Sequence, residues 1–283
     1  MQSLGRMKRF LLLIACIFLM GMPAQAQDVT IPNFWDKNER FAKPDVSKLP
    51  RLRFLTTTDF PPFNFIDRER QLAGFHVDLA RAICAELELL NRCEIQAIPW
   101  EQLGEALSKG QGEAIIAGLA VTAESRKQYN FTRPYLHIPA RFIVRKDSEL
   151  STPAYDALFK KKTGVVKNSN HSAYFAKVFG TRTAEEFDTR ADALKALQEK
   201  KVEAVFSDAV SLSFWLSSAG SNECCDFLDG PFVSREFFGN GMAIATAKDN
   251  QNLIDGMNYA LGQINDSGRY AEIYLRYFPV GLF

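Results

Sequence analysis

Arg126 and Asp208 stand just past two apolar stretches, residues 114–120 and 202–206, each at the start of a predicted helix. The planar guanidinium of Arg126 offers paired donors to a carboxylate, and a nearby helix N-terminus favours an anion. Asp208 suits a helix N-cap, which uses one carboxylate oxygen and leaves the other free. Bond-making chemistry has little support. The three histidines, His76, His137 and His171, are scattered, without the i, i+4 spacing of a helical metal site. His76 reads as an exposed helix residue. There is no G-x-x-x-x-G-K-[ST] loop and no G-x-S-x-G elbow. No metal and no cofactor is expected.

The elements that must carry these residues alternate. Leu52 to Thr58 is a β-rich run stopped by Asp59-Phe60-Pro61-Pro62. Gly74 opens a helix with Val77, Ala80, Cys84 and Leu87 on one face. Ile95–Ile98 reads as a strand and Glu101–Lys109 as a helix stopped by Gly110. Ala114 to Ala120 reads as one continuous buried strand, with Thr122 capping the next helix. The second half repeats the pattern, with strands at 140–144, 164–166, 202–206 and 242–246. Helices are predicted over 172–179, after a Thr189–Asp192 capping pair, and after Asp208. Leu253, Met257, Leu261 and Ile264 stripe a long helix ended by Gly268, and a last helix holds Tyr270, Ile273, Tyr274 and Tyr277. The fold class is therefore α/β, with two similar lobes of parallel-type sheets flanked by helices.

Residues 1–26 read as a cleavable signal peptide. Arg6, Lys8 and Arg9 precede an apolar run from Phe10 to Met20, and Ala24-Gln25-Ala26 supplies the cleavage site. The run is shorter than the ~20 apolar residues of a membrane span. Export to the periplasm is expected, with a mature chain starting near Gln27. Residues 27–50, with Pro32, Pro44 and Pro50, read as an extension outside the core, tacked on by Phe34 and Trp35. Of 34 basic residues the signal removes three, leaving 31 against 33 acidic, so neither nucleic acid nor an anionic membrane is indicated. An oxidising compartment favours a Cys84–Cys93 disulfide. The adjacent Cys224 and Cys225 could be two thiols or a vicinal disulfide, and the sequence does not choose.

The order and local motifs resemble the extracellular solute-binding proteins of family 3, the polar amino-acid receptors of ABC importers. The segments are Pro61-Pro62-Phe63, Gly74-Phe75-x-Val77-Asp78-Leu79-Ala80, Pro99-Trp100-x-x-Leu103, 114–122 with Arg126, Phe131-Thr132-x-Pro134-Tyr135, Val205-Phe206-x-Asp208, and Gly268-x-Tyr270…Tyr277-Phe278. The resemblance implies two lobes, 51–136 with 242–283 and 137–241, joined by a two-strand hinge and closing on a ligand. It also implies a monomer that delivers an amino acid or similar small solute to an inner-membrane ABC permease.

Site roles follow from the resemblance residue by residue. Arg126 would hold the ligand carboxylate, though it lies four positions past Thr122 where many members have three. One position rotates a helix by about 100°. Asp208 would hold the ammonium. Phe60 and Trp100 would line the side-chain pocket. Gly118 and Ala120 stand where several members have serines, so backbone groups of Gly118, Ala120 and Thr122 would serve instead. Ser169 and Asn170 lie on the second-lobe loop that offers donors to the carboxylate. Beyond the resemblance, Asp59 and His76 could meet a distal charge on the ligand, and Asp59 beside Phe60 hints at a cationic side chain such as arginine or lysine. Two alternatives share the fold: a cyclohexadienyl dehydratase-like enzyme, with Asp59 or His76 as its acid or base, and a ligand-sensing partner of a membrane receptor.

Overall fold

The computed structural model describes residues 31–33, 39, 41–46, 49–180, 182–278 and 281–283. The signal segment, Phe34 and Trp35 lie outside the described residues. Two five-stranded sheets organise the chain. In spatial order the first runs Cys93–Ala97, Leu52–Thr56, Ala114–Ile115, Ala245–Thr246, Asn130–Phe131. The second runs Thr183–Phe187, Lys162–Val166, Ala204–Asp208, Ala140–Arg145, Cys225–Phe232. In each sheet the first three strands are parallel and the fourth is antiparallel to both neighbours. The sheets are thus mixed, and the reason is connectivity: each fourth strand follows a segment that has just crossed from the other lobe.

Those crossings are residues 136–139 and 239–242. They run side by side, the Met242 N–H donating to Leu136 O at 2.8 Å and the Tyr135 N–H to Met242 O at 2.9 Å. A small antiparallel sheet of Asp59–Phe60, Asn64–Ile66 and Leu72–Ala73 sets the turn that carries Asp59 and Phe60.

The helical stripes find their cores. Helix Phe75–Glu86 buries Val77, Ala80 and Cys84, with Leu87 just beyond it. It packs against helices Gln251–Asp266 and Arg269–Tyr277, whose Leu253, Met257, Leu261, Ile264 and Ile273 are buried. Each such side chain contributes about 1.5–3 kcal/mol. The second lobe centres on phenylalanines, with Phe142 and Phe206 at 4.6 Å between ring centroids. Cys84 and Cys93 are bonded, tying that first helix to an edge strand, and Cys224 and Cys225 are bonded to each other.

Several expectations are corrected. The run 114–120 is not one strand: pairing stops at Ile115, and Gly118 at φ 84° turns the chain out of the sheet. Ala120 then makes only an isolated bridge to Met242. The extension is not wholly outside the core. Val46 is buried in it, and Asn252 Nδ2 donates to Asp45 O at 3.1 Å. Three edge strands have no counterpart in the sequence reading, the short Asn130–Phe131 among them. Thr183–Phe187 is polar, and Cys225–Phe232 contains Gly230-Pro231, which only an edge tolerates.

Candidate functional site

The loop ends of both sheets face one cleft, of about 720 Å³. The first lobe contributes Phe60, Ala120 and Thr122; the second contributes Asn170, His171, Arg190 and Asp208, with Arg235 and Phe238 beside them. Phe60 also walls a smaller cavity of about 290 Å³ within the first lobe, with Thr57, Asp59, Trp100, Ala117 and Gly118. A side chain at 118 is excluded twice: φ is positive, and a Cβ would lie 2.7 Å from the Phe60 ring. Phe60 is itself held by stacking on Phe63 at 4.6 Å. Trp100 is 47% exposed, a large aromatic face open to solvent at the cavity. Asp59 is exposed and makes no side-chain hydrogen bond or ion pair among the described residues, which leaves both oxygens available.

The back wall of this cavity is a buried polar chain. Asn64 Nδ2 donates to Thr57 Oγ1 at 2.7 Å, so its Oδ1 must accept from His76 Nδ1, also at 2.7 Å. His76 Nε2 then accepts from the Tyr135 hydroxyl at 2.8 Å. His76 is fully buried, not an exposed helix residue, and burial holds its pKa down to about 3. It is a neutral strut behind Thr57. The signal the sequence reading missed is its place beside Phe75 and Val77, on the helix face that turns inward.

On the second lobe, Asp208 caps helix Ala209–Leu216: its Oδ1 accepts the Ser211 N–H at 2.7 Å. Its Oδ2 is paired with Arg190 Nη1 at 2.5 Å. Ser169 caps helix Asn170–Val178, accepting the Ser172 N–H at 3.0 Å and donating to Val166 O at 2.6 Å. Its hydroxyl is thereby committed within the turn, and Asn170 and His171 reach the cleft. His171 stacks on Phe238 at 5.0 Å. Burial lowers its pKa; Asp208 acts to raise it and Arg190 to lower it further.

Arg126 is exposed on the four-residue helix Ser125–Gln128 and does not line the cleft. Ser125 is the residue turned back toward the cleft-lining segment 120–122. Its Oγ accepts the Thr122 N–H and donates to Ala120 O, both at 2.9 Å. The cations that do line the cleft, Arg190 and Arg235, are absent from the sequence reading. Arg190 sits directly after the Thr189 cap, where it looks like one more solvated helix-start residue. Among the described residues no group of His, Cys, Asp and Glu could hold a metal ion, and no helix is long and apolar enough to cross a membrane.

Comparisons with known proteins bear on the chain's family and fold. The chain is 31% identical over 216 residues to an arginine-binding periplasmic protein of Mannheimia haemolytica, spanning 76% of this chain and 86% of that one. It is 30% identical over 227 residues to a putative ABC transporter arginine-binding protein 2 of Escherichia coli K12, spanning 80% and 90%. Among solved structures it is similar to a Salmonella typhimurium periplasmic binding protein whose structure was described for high arginine specificity. Identity there is 27% and the TM-score 0.52, over 81% of this chain and 99% of the other. The model of the bacterial extracellular solute-binding proteins, family 3, matches residues 52–280, and the chain belongs to that family.

Proposed function

We propose that this chain is the periplasmic receptor of an ABC importer and that its ligand is a cationic amino acid. One observation carries the choice of ligand. Asp59 presents a carboxylate with no hydrogen-bond or ion-pair partner among the described residues, in a cavity walled by Phe60 and Trp100 and adjoining the larger cleft. An aromatic wall buries methylenes and meets a cation, and the carboxylate supplies charge-assisted hydrogen bonds at the far end. The relatives named for arginine support the same reading. In it the ligand's ammonium meets Asp208. Backbone groups at Gly118, Ala120 and Thr122, with Asn170, take its polar atoms.

The receptor is exported, loses its first 26 residues near Ala26 and, as a monomer in its closed form, docks on an inner-membrane permease. The dehydratase alternative loses one of its two acid–base candidates, since His76 is buried with both ring nitrogens engaged.

The test is a thermal-shift screen of the mature protein against amino acids, amines and small carboxylates. L-Arginine, L-lysine or L-histidine should raise the melting temperature, since a ligand at 100 times its Kd adds about 2.7 kcal/mol. Stabilisation by neutral or acidic amino acids alone would reject the cationic ligand.

A further inference from the structure

The ligand's carboxylate needs a cation, and among the described residues no first-lobe cation lines the cleft. Arg126 is exposed outside its lining, while Ser125 turns inward and is tied to Ala120 and Thr122. The cleft instead holds two second-lobe cations, Arg235 and Arg190, of which Arg190 is joined to Asp208 at 2.5 Å. We infer that Arg190 and Asp208 form one zwitterion-binding unit in the second lobe, Arg190 taking the ligand's carboxylate while Asp208 takes its ammonium. This rests on the amino-acid reading above and deepens it.

The geometry favours the pair in three ways. First, the guanidinium has five N–H donors in a planar fork, and among the described residues only one hydrogen bond uses them, that from Nη1 to Asp208. The rest of the fork is available without breaking the ion pair. Second, Asp208 spends one lone pair of Oδ1 on its helix cap, while Oδ2 accepts from Arg190 and, at 3.5 Å, from the Ser207 hydroxyl, which keeps a further lone pair on Oδ1 for an ammonium. Third, the charges alternate. A zwitterion lying head to tail beside an Arg–Asp pair places each of its ends next to an opposite charge and diagonal to a like one. A lone Asp208 would instead repel the carboxylate of the ligand it attracts. The Arg190 side chain is 41% exposed and that of Asp208 22%, so both can be reached from the cleft. Arg190 is thus a ligand-binding residue, and Arg126 is free to do something else.

The experiment separates the carboxylate from the rest of the ligand. L-Arginine and agmatine, which lacks the carboxylate, are titrated calorimetrically into the full mature chain and into Arg190→Met, Arg190→Lys and Arg126→Ala. L-Histidine and histamine are a second probe pair. In the wild-type chain the amino acid should bind at least tenfold tighter than the amine. Arg190→Met should weaken the amino acid about 30-fold or more and shrink the amino-acid-to-amine ratio below threefold. Arg190→Lys should restore part of that ratio, and Arg126→Ala should leave it unchanged. Melting curves of the apo forms confirm folding. If Arg190→Met keeps the ratio, or binds the amino acid as tightly as the wild type, the inference is wrong while the receptor reading stands. If the ratio collapses in Arg126→Ala instead, the first lobe holds the carboxylate. If the wild-type chain binds neither amino acid, the cationic-ligand reading fails and this inference with it.

Discussion

Asp208 and Ser211 are joined through one carboxylate oxygen, Oδ1 accepting the Ser211 N–H at 2.7 Å, so the residue is a structural cap as well as a cleft acid. The two roles come apart by substitution. Asp208→Asn keeps a capping oxygen and removes the charge, so apo stability should change by less than about 1 kcal/mol. L-Arginine affinity should fall by about 2–5 kcal/mol, the usual cost of leaving a ligand charge unpaired. Asp208→Ala should add a capping loss of about 1 kcal/mol. Calorimetry and melting curves on both variants check this; an unchanged affinity with a lowered melting temperature would leave Asp208 a cap alone.

Trp100 should report ligand entry. It is 47% exposed and lines the cavity with Asp59 and Phe60. Filling that cavity dries the indole and shifts its emission. Trp100→Phe should remove most of the ligand-induced change. A full signal in that variant would assign it elsewhere, with Trp215, in a groove beside Arg190, the first candidate.

The Cys84–Cys93 bond closes a loop with a sequence separation of 9. Chain-entropy reasoning gives a loop of that length about 2–3 kcal/mol. The double variant Cys84→Ala/Cys93→Ala should lose that much in chemical denaturation, since Cys84 is fully buried beside the helix packing it secures. Peptide mapping of the wild-type protein should recover the two cysteines linked. Free thiols at both positions in exported material would refute the assignment.

His76 makes the fold sensitive to acid. Burial lowers its pKa to about 3 from the ordinary 6.5. Between those values the unfolded chain takes up a proton that the folded chain refuses. Stability is therefore intact above about pH 6.5 and declines as pH falls toward 3, with about 2 kcal/mol lost at pH 5 relative to pH 7. His76→Gln should melt lower at pH 7, because the Asn64 and Tyr135 partners are disturbed, yet show a shallower decline in acid. Parallel pH curves for the two proteins would point to other groups.

Much of the frame was legible in the sequence because it depends on periodicity and local signals. The stripe from Leu253 to Ile264, the Thr189 and Asp208 caps, and the Pro61-Pro62 turn all appear where their residue types require. Other features depend on what lies across the fold. His76 looks solvated until Asn64 and Tyr135 are brought to either side of its ring. The strand from Ala114 ends early because Gly118 must pass beneath the Phe60 ring, a contact 58 residues apart in sequence. In the site, Asp59, Phe60, Trp100, Gly118, Ala120, Thr122, Asn170 and Asp208 all reach a cavity. Ser169 is used up in its own turn, and Arg126 faces solvent. Arg190 carried no sequence signal, because only the fold sets it against Asp208.

The most direct test of the central claim compares L-arginine with L-citrulline, whose neutral urea replaces the guanidinium at nearly the same shape. Calorimetric titration of the mature wild-type chain should show arginine binding at least tenfold tighter, about 1.4 kcal/mol or more. Asp59→Asn should narrow that gap by weakening arginine alone. Equal affinity for the two ligands, or a preference for citrulline that Asp59→Asn leaves untouched, would contradict a receptor built for a cationic amino acid.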